Sequence, residues 1–210
     1  AVNYAKCMGE YSIAPVYDIL LYPFVHKLRL KLLDICVEQG YDSILDVCCG
    51  TGRQLKMLRK HGFQVRGVDL SREMLQVSQK GPYAPDCLNE DASEMSFAAD
   101  RFQAAMTTFA LHEKPEHIAR AIVKEMMRVV QPGGHLLLTD FHFTEQSSKF
   151  SKAVIRAIEW NAGGEHYKSF QEFINSGGVP VLTQDFPLNS LHIVPAGLNS
   201  IAIFIYEVPK

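Results

Sequence analysis

The chain has 210 residues, a net charge of -2 and 47% hydrophobic residues. That is room for one domain with a sizeable core and too little for two; it excludes a disordered chain, and the charge balance offers no basic surface for nucleic acid. The five cysteines (Cys7, Cys36, Cys48, Cys49, Cys87) are odd in number and irregularly spaced, with no C-x-x-C pair, so free thiols are expected and no metal site is.

Residues 1 to 22 carry Tyr4, Tyr11, Tyr17 and Tyr22 with little regular pattern. Across 23 to 38, Val25, Leu28, Leu32, Leu33, Ile35 and Cys36 form a helical stripe that Gly40 ends. The longest apolar stretch near the start, Ile19 to Val25, is far too short to span a bilayer. With no leader pattern in view, a cytoplasmic chain is expected. Contact of that stretch with a membrane surface and burial of a helix explain it equally well.

Nine residues then organise the rest: Ile44-Leu45-Asp46-Val47-Cys48-Cys49-Gly50-Thr51-Gly52. A short apolar run ends in an acid and a turn of small residues, followed by a helical pattern with Leu55 and Leu58 inward. This reads as strand, glycine-rich turn and helix N-terminus. Two ligand classes use such a turn. A dinucleotide sets its pyrophosphate there through G-x-G-x-x-G; here the register is Gly50-x-Gly52-x-x-Leu55, and the third glycine is missing. Asp46 also places a negative charge at the strand's mouth, which repels phosphate and suits a ligand carrying an ammonium and a sulfonium. S-adenosyl-L-methionine fits better.

Gln64 to Val68 predicts a second strand ending at Asp69, and Ser71 is a good N-cap for a helix over 72–79. Asp86 to Leu88 is a weak third strand before Asn89-Glu90-Asp91-Ala92, and Arg101 to Thr107 a fourth. Pro115 opens a helix whose face is Ile118, Ile122, Met126 and Val129. Gln131-Pro132-Gly133-Gly134 is expected as a turn and His135 to Thr139 as a fifth strand. Helices follow over 148–160 and 167–176. Val179 to Phe186 and Ser200 to Val208 are expected to close the sheet as a terminal strand pair.

The expected fold is α/β: a doubly wound, Rossmann-like, seven-stranded, mostly parallel sheet with an antiparallel C-terminal strand and helices on both faces. It forms a single domain, with a helical lid over residues 1–40, a cofactor-binding core over 41–141, and acceptor-side helices and the strand pair over 142–210. Asp46, Asp69, Asp91 and Thr108 fall at strand carboxyl ends, the edge where such sheets bind ligands. The three carboxylates are expected to converge on one cleft. Asp69, 23 residues after Asp46, can accept two hydrogen bonds from a ribose diol. A carboxylate at Asp91 can accept from an adenine amino group while the Ala92 N–H donates to a ring nitrogen.

These stretches, with Gly67-Val68-Asp69-Leu70-Ser71, Phe97, Phe102-Gln103-Ala104-Ala105 and Val130-Gln131-Pro132-Gly133-Gly134, resemble the class I S-adenosylmethionine-dependent methyltransferases. The likeness is nearest to the small-molecule group that includes ubiquinone/menaquinone-biosynthesis and phosphatidylethanolamine methyltransferases. Each stretch is loose; the ordered set over residues 44 to 141 is specific. The resemblance implies that Asp46, Cys48, Gly50 and Gly52 line the methionine moiety, and that Asp69 holds the ribose with Leu70 and Met74 against the adenine. It further implies that Asp91 and Ala92 read the adenine edge, that Thr108 sits under the sulfonium or ammonium, and that Tyr11 and Tyr17 close over the cofactor. Cys48 departs from the glycine or alanine common there, but is small enough to keep the turn.

Methyl transfer from such a cofactor needs an aligned nucleophile and a dry site, and a base only if the acceptor must lose a proton. His112 and His142, just past the fourth and fifth strands, are the acceptor-site candidates; Trp160, His166 and Tyr167 fall on the later helices as lid candidates. The acceptor is expected to be a small or lipid-like molecule. A nicotinamide-dependent oxidoreductase and a non-catalytic cofactor-binding subunit remain the alternatives, and the sequence leaves the oligomeric state open.

Overall fold

The computed structural model describes the backbone from residue 14 and the side chains from residue 25, both to residue 210. Helix α1 spans Ala14–Gln39, starting well before the predicted stripe and running through Pro23. A proline inside a helix removes one ladder hydrogen bond without necessarily ending it. Then come β1 Ser43–Val47, α2 Arg53–Lys60, β2 Gln64–Val68, α3 Arg72–Ser78, β3 Asp86–Leu88, β4 Phe102–Thr108 and α4 Glu116–Val129. The chain continues through β5 Val130–Phe141, α5 Lys149–Asn161, α6 Gly164–Ser176, α7 Val179–Thr183, β6 Asn189–Ala196 and β7 Ile201–Glu207.

The seven strands form one sheet in the order β3-β2-β1-β4-β5-β7-β6. The pairs from β3 to β5 are parallel, and β7 runs antiparallel to both β5 and β6. Strand order reverses between β1 and β4, which opens a crevice at their carboxyl ends.

Alternation along each strand sends side chains to opposite layers. Ile44, Ala104, Met106, Leu137, Ile203 and Ile205 face α1 and α2, meeting Leu28, Leu32, Cys36, Leu55 and Leu58. Leu45, Val47, Ala105, Leu136, Leu138 and Phe204 face the other way, against Ile122, Val123 and Met126 of α4 and Val179 and Leu182 of α7. The two buried layers fix the sheet edge on which a ligand would rest.

Two local expectations are corrected. Val179 to Phe186 is not a strand: it opens with α7, and the strand partner of β7 is β6. A short apolar run cannot distinguish a buried strand from a helical turn. Here Gly178 sits at φ 69, a proline occupies the first turn, and Val179, Leu182 and Thr183 are all buried. That spacing of three and four residues is helical. β6 is a mostly exposed edge strand, where Pro195 is tolerated. The second correction concerns Gln131 to Gly134, which stays within β5 instead of turning away. Gly133 has φ +78 and the β4–β5 register shifts between Phe102 and Ala104, so the residues of an expected turn make an irregularity in the ladder. A Cβ on Gly134 would meet the Gln103 carbonyl oxygen at 2.5 Å.

No helix among the described residues is long and apolar enough to cross a membrane. Cys36, Cys48, Cys49 and Cys87 carry free thiols.

Candidate cofactor and acceptor site

Beyond β1 the backbone turns sharply: Cys48, Gly50 and Gly52 all have positive φ, at 59, 53 and 66°. Cys48 keeps the turn despite its side chain, in a region that L residues visit at some cost. The two glycines serve different ends. A Cβ on Gly50 would meet nothing within 4 Å, so its backbone faces open space. A Cβ on Gly52 would meet Ser78 Cβ at 2.8 Å, so Gly52 lets α2 approach α3. The missing third glycine is compensated on the neighbouring strand. Leu55 is fully buried in that position, and Gly67 of β2 makes room for it: a Cβ there would meet Leu55 Cδ1 at 2.7 Å.

Asp69 joins the first turn to the second. Its Oδ2 accepts from the Gly50 N–H at 2.7 Å and its Oδ1 from the Ser71 N–H at 2.8 Å. Ser71 in turn caps α3, accepting from the Met74 N–H. Leu70 is 47% exposed and Met74 half-buried, an apolar surface beside that carboxylate.

Asp46 is buried. Its carboxyl is pushed up to about 8, first by burial and then by the charges of Cys87 and Asp69, with Arg29 opposing. A carboxyl so placed ionises readily only when a cation comes close.

Asp91 is placed differently from the other two. It is exposed, and its Oδ1 accepts from both the N–H and the hydroxyl of Ser93. Ala92 is packed into the core. The three carboxylates lie at successive strand tips, and the charge of Asp69 is among those acting on Asp46.

Sequence reasoning missed two groups here. Asn89 donates from Nδ2 to the carbonyls of Asp69 (3.0 Å) and Leu70 (2.8 Å) and accepts from Arg72 Nε, tying the tips of β2 and β3 together. An asparagine at a strand tip was the available signal. The second group is the Glu113–Lys114 pair. Burial pulls the Lys114 ammonium down, but Glu113, Cys48 and Asp69 outweigh it and hold its pKa above the ordinary lysine range. Lys114 thus faces the cleft from the β4–α4 loop.

Thr108 ends β4, half-buried and in register with Thr139. Phe109 follows at φ 56, donating its N–H to the Thr139 carbonyl at 2.9 Å. A bulky residue in that conformation is an outlier, of the kind that gathers at functional edges. Its ring packs on Phe141 at 5.2 Å between centroids.

His112 is 2% exposed and held by Asp140. Its Nδ1–H donates to Asp140 Oδ1 at 2.6 Å, while the backbone N–H groups of Leu111, His112 and Phe141 fill the rest of that carboxylate. The other ring nitrogen, Nε2, lies 3.4 Å from Glu159 Oε2 on α5, and His166 Nε2 on α6 meets the same oxygen at 2.5 Å. Burial opposes charge on His112, yet Asp140 and Glu159 push its pKa up to about 10. Burial likewise opposes charge on Glu159, but the two histidines bring it down to about 2. Phe141 (4.7 Å), Phe170 (6.0 Å) and Phe173 (6.3 Å) wall the His112 ring.

His142 belongs to a different place. It stands edge-on to Phe204 at 5.2 Å and lines a cavity of about 100 Å³ with Thr144, Ile193, Pro195 and Ile201. Burial lowers its pKa. Of the lid candidates, Trp160 is 70% exposed, whereas Tyr167 stacks on Phe170. Tyr11 and the side chain of Tyr17 lie outside the described residues.

The sequence profile described as "Methyltransferase domain" matches residues 44–134. Over that stretch the chain is similar to methyltransferase domains. Over 120 residues it is 34% identical to a demethylmenaquinone methyltransferase of Bacillus velezensis, covering 53% of this chain and 50% of the relative. It is 31% identical over 117 residues to an uncharacterized methyltransferase of Synechocystis, covering 56% and 54%. The chain thus spans about half the length of the curated relatives it matches. Its fold is that of 1,6-didemethyltoxoflavin-N1-methyltransferase from Burkholderia thailandensis, solved with S-adenosylhomocysteine (TM-score 0.66, 13% identity, 99% of this chain and 89% of that one). It is also that of the magnesium protoporphyrin IX methyltransferase of Synechocystis (TM-score 0.61, 15% identity, 86% and 82%). The matched stretch includes His112 but ends before Asp140, Glu159 and His166, so most of the group around His112 lies outside it.

Proposed function

We propose that this protein transfers the methyl group of S-adenosylmethionine to a small or lipid-like acceptor bound over the carboxyl ends of β4 and β5. One observation carries the reading: the open backbone of Gly50, its N–H held by Asp69, lies at the end of the strand that buries Asp46. The donor set fits the cofactor. Asp46 supplies a negative charge that a nearby ammonium or sulfonium would stabilise. Asp69 retains lone pairs for a ribose diol, and the exposed Leu70 with Met74 offers an apolar face to an adenine. A pyrophosphate would meet two carboxylates and gain little, which disfavours a dinucleotide.

The bound cofactor supplies an already activated methyl group on a sulfonium. The chain's own contribution is alignment and exclusion of water. Thr108 and the strained Phe109 end β4 at the cleft, and Phe141, Phe170 and Tyr167 form the apolar wall on the acceptor side. Alignment of this kind is worth on the order of 7–11 kcal/mol. His112, oriented by Asp140, is the acceptor-side polar group in this reading; His142 lines a separate cavity with residues of β6 and β7. The names of the relatives support a small, ring-bearing or lipid-like acceptor.

The reading is tested by incubating the protein with methyl-labelled S-adenosylmethionine and a panel of quinols, phenols and heterocyclic amines. Label transfer to one class supports it. No binding of S-adenosylmethionine or S-adenosylhomocysteine at millimolar concentration overturns it.

A further inference from the structure

Two buried carboxylates, Asp140 and Glu159, lie within one hydrogen-bonded group whose ion-pair partners are His112 and His166. Burying two negative charges needs matching positive charge close by. Two doubly protonated imidazoles would supply it; so would one divalent cation with both imidazoles neutral.

The arrangement favours the cation. One ligand atom each of His112, Glu159 and His166 all lie within 4.8 Å of one another, and they come from the β4–α4 loop, α5 and α6; both histidines approach Glu159 Oε2 through Nε2. Two imidazoles and a carboxylate form the donor set of open catalytic zinc sites and of non-heme iron sites. Metal–donor bonds of about 2.0–2.2 Å in a tetrahedral site set the donors about 3.3–3.5 Å apart. The His112–Glu159 separation of 3.4 Å already matches, and the 2.5 Å contact between His166 and Glu159 opens by roughly 1 Å when metal replaces the shared proton.

Asp140 adds an independent feature. A metal-ligating histidine characteristically donates its other ring N–H to a carboxylate, which fixes the tautomer and aims the free nitrogen. Asp140 does this at 2.6 Å, and is itself fixed by three backbone N–H groups.

We propose that His112, Glu159 and His166 bind a first-row divalent transition-metal ion such as Zn²⁺, with Asp140 as the positioning residue for His112. Three protein ligands leave a coordination position open beside the aromatic wall. There the ion would bind an acceptor hydroxyl and lower its pKa, which directs methylation to oxygen. This last consequence rests on the methyltransferase reading; metal binding does not.

The test uses the full chain, stripped with a chelator and titrated with Zn²⁺ by calorimetry, with S-adenosylhomocysteine titrated into the same samples. Co²⁺ loading reports the ligand set through its visible absorption. One Zn²⁺ per chain is expected, together with intense Co²⁺ bands. Glu159→Gln and His166→Asn should each weaken Zn²⁺ by more than about 100-fold, and Asp140→Asn by roughly 10–100-fold. All three should leave S-adenosylhomocysteine affinity within a few-fold. Absence of saturable Zn²⁺ binding by the wild-type chain, or Zn²⁺ affinity in Glu159→Gln and His166→Asn unchanged from wild type, overturns the proposal and leaves a purely hydrogen-bonded group. Loss of S-adenosylhomocysteine binding with Zn²⁺ binding intact would instead count against the methyltransferase reading alone.

Discussion

The two sides of the crevice are built on different principles. On the side proposed for the cofactor, β1 to β3 present backbone and loop carboxylates: Gly50 offers a bare main chain, and Asp69 bridges two consecutive turns. On the side proposed for the acceptor, side chains dominate, with His112, Asp140, Glu159 and His166 drawn from a loop, a strand and two helices. A backbone site can be shared by many proteins, because its local turn sets the geometry. A side-chain site is peculiar to the chain that packs it. That is why likeness to known methyltransferases is concentrated in the first and stops short of most of the second.

Removal of the central histidine separates the two sides most sharply. His112→Ala leaves Asp140 with backbone donors only, and breaking one partner of a buried pair costs about 3–5 kcal/mol. Chemical denaturation should show that loss while S-adenosylhomocysteine binds within a few-fold of wild type. A parallel collapse of cofactor affinity would mean the two sides are one unit.

On the other side, Gly50→Val puts a branched side chain where the backbone meets open space at φ +53. Stability should fall by about 1–2 kcal/mol from the left-handed conformation, and cofactor affinity by roughly 100-fold. An unchanged affinity would remove Gly50 from the site.

The next effect is set by pH. The Asp46 carboxyl, raised to about 8, binds a cation only when ionised. Cofactor affinity should therefore rise with pH toward 8 by up to roughly tenfold per unit and level off above it. The unliganded fold follows the opposite sign. Through this group its stability is fully present below the unfolded carboxyl pKa and is lost as pH rises through about 8. Cofactor binding should release a proton, measurable by calorimetry in buffers of differing ionisation enthalpy, and Asp46→Asn should abolish that release. The smallest effect belongs to Ser71→Ala, which removes the α3 cap and should cost about 1 kcal/mol in thermal unfolding, with a slight loss of affinity through the neighbouring Asp69.

Legibility in the sequence follows the same divide. β1 to β5, the Ser71 cap and the tip carboxylates were readable because local pattern and turn chemistry decide them. Leu55 in place of a third glycine was readable as a departure; its compensation by Gly67 was not, because that contact joins α2 to a strand other than the one it follows. Val179 to Phe186 misled because a short buried apolar run fits either regular structure, and tertiary packing against α4 settled it. His112 stood out by its place after β4. Its partner Glu159 did not, since nothing local marks a glutamate seven residues before His166 as buried.

The most direct measurement is calorimetric titration of the wild-type chain and Asp69→Ala with S-adenosylhomocysteine, with NAD as the control ligand. One saturable site is expected in the wild type, no heat from NAD, and an affinity roughly 10- to 100-fold lower in the variant, which has lost the charged acceptor for the Gly50 N–H. Silence from S-adenosylhomocysteine at millimolar concentration, or saturable binding of NAD, would contradict the cationic, phosphate-free nucleoside site on which the account rests.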